Sequence, residues 1–277
     1  MGSGMAGRLL GAGFPLTVYN RNPERTRGLA AAGARVAANP REAVANANLV
    51  VSMVADDTAS RAVWLGENGA LAGVAREAVL IECSTLSPVW VRELAGLAAK
   101  VGAELLDAPV TGSKSQAAAG ELNFLVGGST GALEKARSAF TAMGKSATHI
   151  GPSGSGALLK LINNFLCGAQ LASLAEALAL IDRSGLDRAR ALEVLTNGAP
   201  GSPLVKIIAA RSEAGDVTAN FPLRLMAKDL KYASEEAARN GLSLATADTA
   251  LKILNHAVQS GRGDQDMWVI VDECRKQ

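Results

Sequence analysis

Lys160 and Asn164 stand four residues apart in a segment that opens with Gly151-Pro152-Ser153-Gly154-Ser155-Gly156 and continues, rich in Leu and Ala, to about Arg183. That composition forms a helix, and its apolar character on nearly every side predicts burial. Residues i and i+4 lie one above the other on a single helix face, so the amine and the amide share one environment. A lysine out of water is costly, because desolvation opposes its charge and lowers its pKa. With an amide one turn away, such a lysine is suited to donate and accept a proton. The plainer alternative is a lysine whose stem is buried and whose tip reaches water.

Other residue types point to a dinucleotide. Leu16-Thr17-Val18-Tyr19 reads as a short strand closed by Asn20-Arg21-Asn22. In a doubly wound sheet the end of the second strand meets the adenosine ribose, where an acid takes the 2′-hydroxyl and an arginine accommodates a 2′-phosphate. None of these three residues is acidic, and the rigid fork of Arg21 suits phosphate. NADP(H) is therefore preferred over a possible NAD(H); a solvated turn with an exposed arginine is the alternative. Met53-Val54-Ala55 and Ser84-Thr85 follow two apolar strands and fall at the carboxyl edge where ligands bind. Thr85 could contact a nicotinamide or a substrate, and Ser84 or Thr85 could equally cap the helix beginning near Pro88. Asp107-Ala108-Pro109-Val110-Thr111-Gly112-Ser113-Lys114 leaves a strand into a loop of small residues, where a hydroxyl beside a glycine can approach an anion such as a carboxylate. An ordinary strand exit would look similar. Lys228-Asp229 alone reads as a surface pair.

The elements that must position these groups alternate. Strands are predicted at 16–19, 34–36, 49–54, 78–82, 104–107 and 123–126. Helices are predicted at 2–10, 23–32, 40–45, 58–64, 88–100 and 131–143. This order predicts βαβ units in one parallel sheet with late antiparallel additions. Beyond His149 only helices are expected, near 156–183, 187–196, 204–211, 223–240, 245–259 and 266–274. The shift at Gly151 divides the chain into 1–150 and 151–277. The chain reads as opening within the glycine-rich turn of a dinucleotide fold, with Gly2 at the third glycine, so either the true start lies upstream or the preceding strand and first two glycines are lost. Loss of a central strand would expose ladder groups and apolar surface, so reduced stability or aggregation is expected.

Composition excludes several classes. Lys and Arg total 28 against 26 Asp and Glu, so no net field draws nucleic acid or an anionic membrane. Polar residues break the apolar runs, and no secretory signal opens the chain, so no membrane association is expected. Three scattered cysteines fit a reducing cytoplasm. The two histidines have no partner at ligand spacing, so no metal site is expected. Gly144-Lys145-Ser146 lacks the first glycine of a P-loop, since Ala139 stands there. Ser155 is misplaced for a nucleophile elbow.

Taken in order, Met1-Gly2-Ser3-Gly4-Met5-Ala6, Tyr19-Asn20-Arg21, Ser84-Thr85, Asp107 to Gly112, Gly154-Ser155-Gly156 with Lys160 and Asn163-Asn164, and Lys228-Asp229-Leu230 resemble the β-hydroxyacid dehydrogenase family along essentially the whole chain. The resemblance implies a Rossmann-like α/β domain binding NAD(P), then an all-α substrate and dimerisation domain. The two would be joined by a long helix, with the active site between them. Lys160 would be the general acid/base and Asn164 would hold the substrate or position the lysine. Thr111 and Gly112, with Ser113 beside them, would grip a carboxylate-bearing substrate. Gly2 and the segment Asn20, Arg21 and Asn22 would serve the cofactor. Met53 and Val54 would line its adenosine side, and Thr85 and Lys228 would lie beside it. The activity implied is hydride transfer between NADP(H) and a small semialdehyde or keto acid, in a homodimer or homotetramer. Thr111 replaces the family's usual serine, Ser113 a frequent glycine, and Val54-Ala55 the common Leu-Pro. Alternatives from other classes are a cofactor-binding protein without turnover and an imine reductase of related fold.

Overall fold

The computed structural model describes residues 1–276. Packing divides the chain into two compact units, one from Met1 to Lys160 and a second beginning at Leu161.

The first unit runs α1 (Gly2–Gly11), β1 (Thr17–Val18), α2 (Arg27–Ala31), β2 (Arg35–Val36), α3 (Pro40–Ala43), β3 (Leu49–Ser52), α4 (Asp57–Trp64) and β4 (Val79–Glu82). It continues with α5 (Pro88–Lys100), β5 (Glu104–Asp107), β6 (Val110–Thr111), α6 (Lys114–Ala119), β7 (Leu122–Gly127), α7 (Thr130–Met143) and β8 (Gly144–Gly151). Local chemistry starts these helices. Asp56 accepts from the Ala59 amide at 2.8 Å, Ser129 from that of Ala132 at 3.0 Å, and Ser87 from that of Trp90 at 3.2 Å with Pro88 following it.

β3, β4 and β5 pair in parallel, β5 and β6 each pair antiparallel with β7, and β8 pairs parallel with β7. β4 is buried along its whole length, as its apolar run requires. Its side chains alternate between two cores. Val79 and Ile81 pack with Met5 and Leu9 of α1 and Phe140 of α7, while Leu80 packs with Trp64, Trp90 and Leu94.

Two expectations are corrected. The strands do not form one sheet: β1 and β2 pair only with each other, apart from the six-stranded sheet, and no described strand bonds β1 to β3. The predicted strands also omit β6 and β8. β8 is a largely exposed polar strand, and β6 and α6 flank β7, none of which has the apolar periodicity that marks an element in sequence.

The second unit is helical. It takes most of α8 (Ser155–Ser184), then α9 (Arg188–Asn197), α10 (Pro203–Ala214), α11 (Leu223–Arg239), α12 (Ala245–Ala257) and α13 (Ile270–Lys276). Leu171, Ala175 and Leu178 of α8 pack with Ile208, Met226, Leu230 and Leu254. Gly168 permits this approach, since a Cβ there would lie 2.3 Å from Leu230 Cδ1. α8 is not buried all round, contrary to its apolar composition: Leu166 is 53% exposed and Leu180 70%. The same helix is long and apolar enough by composition to cross a membrane, which the reading of interrupted runs missed, but half of that window is buried within the protein, as in a core helix.

Candidate active site

Because β3, β4 and β5 are parallel, their carboxyl ends reach one edge of the sheet. Met53-Val54, Ser84-Thr85 and the residues after Asp107 therefore arrive together. α1 begins at the same edge: a Cβ on Gly2 would lie 3.7 Å from Met53 Cβ, an ordinary contact. The start of a ten-residue helix presents backbone N–H groups and the positive end of its dipole, which favour an anion. That arrangement fits the phosphates of a dinucleotide.

A buried network holds this edge. Glu82 follows Leu80 by two residues, so it shares that face, where it meets Trp64 directly and Trp90 through Ser60. Its Oε2 accepts from Trp64 Nε1 at 2.7 Å and Ser60 Oγ at 2.9 Å, and its Oε1 accepts from the Ser84 amide at 3.1 Å. Trp90 Nε1 donates to Ser60 Oγ at 2.9 Å. Ser84 Oγ in turn accepts from the Val54 amide at 2.7 Å, joining the ends of β3 and β4. The helix after this edge is capped by Ser87, so the capping role considered for Ser84 and Thr85 falls to neither. Cys83, between Glu82 and Ser84, is buried, and burial pushes its thiol well above its usual range.

At the turn after β1, Asn20 Oδ1 accepts from the Asn22 amide at 2.9 Å and Asn22 Oδ1 from the Glu24 amide at 3.1 Å. The two asparagines build the turn, and Arg21 between them is exposed.

Asp107, 1% exposed, closes β5. Its Oδ1 accepts from the Gly154 amide and its Oδ2 from that of Ala157, each at 2.8 Å. Burial raises its pKa, opposed by the backbone N–H groups of Gly154, Ala157, Asp107 itself and Gly156. Beyond it the loop reaches Thr111 and Gly112. Gly112 has φ +118°, and a Cβ there would meet Leu122 Cδ2 at 3.1 Å, so glycine is required. The Ser113 amide donates to Gln116 Oε1 at 2.9 Å, and its hydroxyl bonds the same oxygen, so Ser113 begins α6. Lys160, on the second turn of α8, is half-buried rather than buried.

In the second unit Asn164 is buried on α8 and donates from Nδ2 to Asp229 Oδ2 at 2.6 Å. Asn163 Nδ2 donates to Asn164 Oδ1 at 2.9 Å, so both ends of the amide are engaged. Asp229 Oδ1 lies 3.0 Å from Lys228 Nζ, which stands 5.1 Å from the Tyr232 ring centre. The surface reading of this pair is thus corrected: Asp229 is 1% exposed.

Gly2, Met53, Val54 and Thr85 share one sheet edge, Thr111, Gly112 and Ser113 share one loop, and Lys160 and Asn164 share one helix. Glu82 was missed by sequence reasoning; an acid ending an apolar strand, as in Ile81-Glu82, was the available signal.

Two family models match the chain. One, the NAD binding domain of 6-phosphogluconate dehydrogenase, covers residues 1–151, and the other, the NAD-binding region of NADP-dependent 3-hydroxyisobutyrate dehydrogenase, covers 154–273. An NAD-dependent L-serine dehydrogenase from Pseudomonas aeruginosa is 35% identical, over 98% of this chain and 93% of its own. A chloroplastic glyoxylate/succinic semialdehyde reductase 2 from Arabidopsis thaliana is 32% identical, over 99% and 77%. A solved structure of a Mycobacterium tuberculosis 3-hydroxyisobutyrate dehydrogenase with L-serine superposes with a TM-score of 0.89 at 29% identity, over 99% of this chain and 96% of its own.

Proposed function

Because the chain belongs to the β-hydroxyacid dehydrogenase family, enzymes that use a nicotinamide dinucleotide, we propose that it interconverts a small semialdehyde or keto acid and its hydroxy acid, with NADP(H) preferred over NAD(H). The observation that carries this reading is Lys160 on the second turn of α8, one turn before the buried amide of Asn164. A nicotinamide held there would supply or take the hydride. Lys160 Nζ gives the proton to the carbonyl oxygen in reduction and removes it from the hydroxyl in oxidation. Its positive charge also stabilises the developing oxyanion. Thr111 and Gly112, with Ser113 beside them, hold the substrate carboxylate, and Asn164 orients the reacting group or the lysine. Gly2 at the start of α1 takes the cofactor phosphates, Arg21 the 2′-phosphate on the turn built by Asn20 and Asn22, and Met53 and Val54 the adenosine side. Thr85 and Lys228 would each lie beside the cofactor. Residues 1–150 then form the cofactor-binding domain and 151–277 the substrate and dimerisation domain of a homodimer or homotetramer.

Support for the substrate class comes from the names of the relatives, which act on L-serine, glyoxylate or succinic semialdehyde. The test is a panel of glyoxylate and of succinic, tartronate and methylmalonate semialdehydes with both cofactors, for the wild type and Lys160→Ala. Lys160→Ala is expected to lose about 10²–10⁴ in turnover while still binding cofactor. Near-normal turnover would overturn the lysine's role.

A second reading is a chain that binds the dinucleotide too weakly to turn over. The separation of β1–β2 from the six-stranded sheet favours it, because the turn carrying Arg21 follows β1 and no described strand ladder ties β1 to the sheet whose edge carries Met53 and Ser84. Calorimetric titration with NADPH and NADH decides between the two readings.

A further inference from the structure

We infer that Asp107 is a positioning residue: its carboxylate ties the loop bearing Thr111 and Gly112 to the start of the helix bearing Lys160, and so sets which substrate chain length is accepted. The inference rests on the roles proposed above for Lys160, Thr111 and Gly112.

Both sides of the tie are rigid. On the loop side, Val110 and Thr111 pair with Phe124 and Asn123 of β7, and the Pro109 carbonyl accepts from the Leu125 amide at 2.9 Å. On the helix side, the carboxylate takes the amides of Gly154 and Ala157, one on each oxygen. There is no slack around it. A Cβ on Gly127 would lie 2.5 Å from Asp107 Oδ1, and one on Gly156 would lie 2.1 Å from the Leu125 carbonyl oxygen and 2.7 Å from that of Asp107. The first turn of α8 therefore sits directly on the ends of β5 and β7. Lys160 follows Ala157 by three residues, about 4.5 Å along the axis, so clamping the first turn fixes the base of the lysine.

Stability alone does not call for this group. Serine or asparagine caps a helix comparably, whereas a carboxylate buried without a cation carries a desolvation cost. What the charge adds is two strong, directed bonds to two separate amides. If Thr111 and Gly112 grip the substrate carboxylate and Lys160 meets the carbonyl oxygen, their separation measures the carbons between those groups. Glyoxylate has its carbonyl next to the carboxylate; succinic semialdehyde places it two methylenes further away.

The test compares kcat and KM for these two substrates in the wild type, Asp107→Asn, Asp107→Ser and Ser129→Ala. The last removes the cap of α7 and controls for lost stability. Both Asp107 variants are expected to change the ratio of the two kcat/KM values by about tenfold, since a displacement of about 1 Å can cost 10² in rate. Their kcat should fall while cofactor KM holds, and Ser129→Ala should keep the wild-type ratio at a similar loss of Tm. Asp107 variants that lose Tm but keep the wild-type ratio overturn the inference, and so does failure of both to fold, which would assign Asp107 to folding alone. Lys160→Ala, run in parallel, separates the premises. If it is inactive while the Asp107 variants behave as the control, only the inference fails; if it is fully active, the proposed site fails and the inference with it.

Discussion

At the residue scale, buried carboxylates organise the site. Among the described residues Glu82 takes bonds from neutral donors, two side chains and a backbone amide, so its replacement leaves Trp64 and Ser60 facing an apolar gap. Glu82→Ala should cost about 1–3 kcal/mol for each donor stranded and should shift the tryptophan emission, as read in urea melts followed by fluorescence. Asp107 gives a pH signature with a definite sign. Burial raises its folded pKa, so the native state holds the proton more tightly than the unfolded chain, where aspartate titrates near about 3.9. Its stabilising share is therefore complete below that value and is lost as pH rises through the folded pKa. The stability of the wild type relative to Asp107→Asn should fall with rising pH over that window and then level off, as urea melts at stepped pH would show. The types of Lys160, Asn164 and Thr111 were legible in sequence. That Asn164 is committed to Asp229 was not, because those residues lie 65 positions apart and no local period links them.

At the element scale, most helices and the strands of the parallel core could be read from apolar runs and their capping residues. Asp56 before α4 and Ser87-Pro88 at α5 are such signals. β8 could not be read, because an exposed polar strand is defined by its pairing with β7 rather than by its own pattern. α8 shows the converse failure. Its apolar composition predicts burial, yet which face meets the protein depends on the partners packed against it, and Leu166 and Leu180 are left exposed. Close element contacts are likewise tertiary. A Cβ on Gly4 of α1 would lie 2.9 Å from the Ala118 amide nitrogen and 3.0 Å from the Ala117 carbonyl carbon of α6. These are backbone atoms that cannot swing aside. Gly4→Ala should therefore destabilise the first unit by about 1–3 kcal/mol despite the better helix propensity of alanine, measurable as a lowered denaturation midpoint.

At the scale of the whole molecule, the first unit is unevenly protected. β4 lies between two cores, whereas β1 and β2 are two-residue strands paired only with each other, β2 being exposed. Amide exchange should follow this difference. The Arg35 and Ala37 amides, bonded to the Leu16 and Val18 carbonyls, should exchange orders of magnitude faster than those of Leu80 and Ile81. Comparable protection in both places would contradict the division of the sheet. Alternating strand and helix followed by helices alone, the order of the motifs and the family they resemble were all determined by sequence, because each is a local pattern of residue types. Tertiary structure alone decided that the strands form two sheets, that Glu82 supports Ser84 and Val54, that Asp107 seizes the start of α8, and that Asp229 is buried against Asn164. The physical reason is common to all four: a buried polar group must find its partner across strand register and helix packing, and those bring together residues that sequence spacing keeps apart.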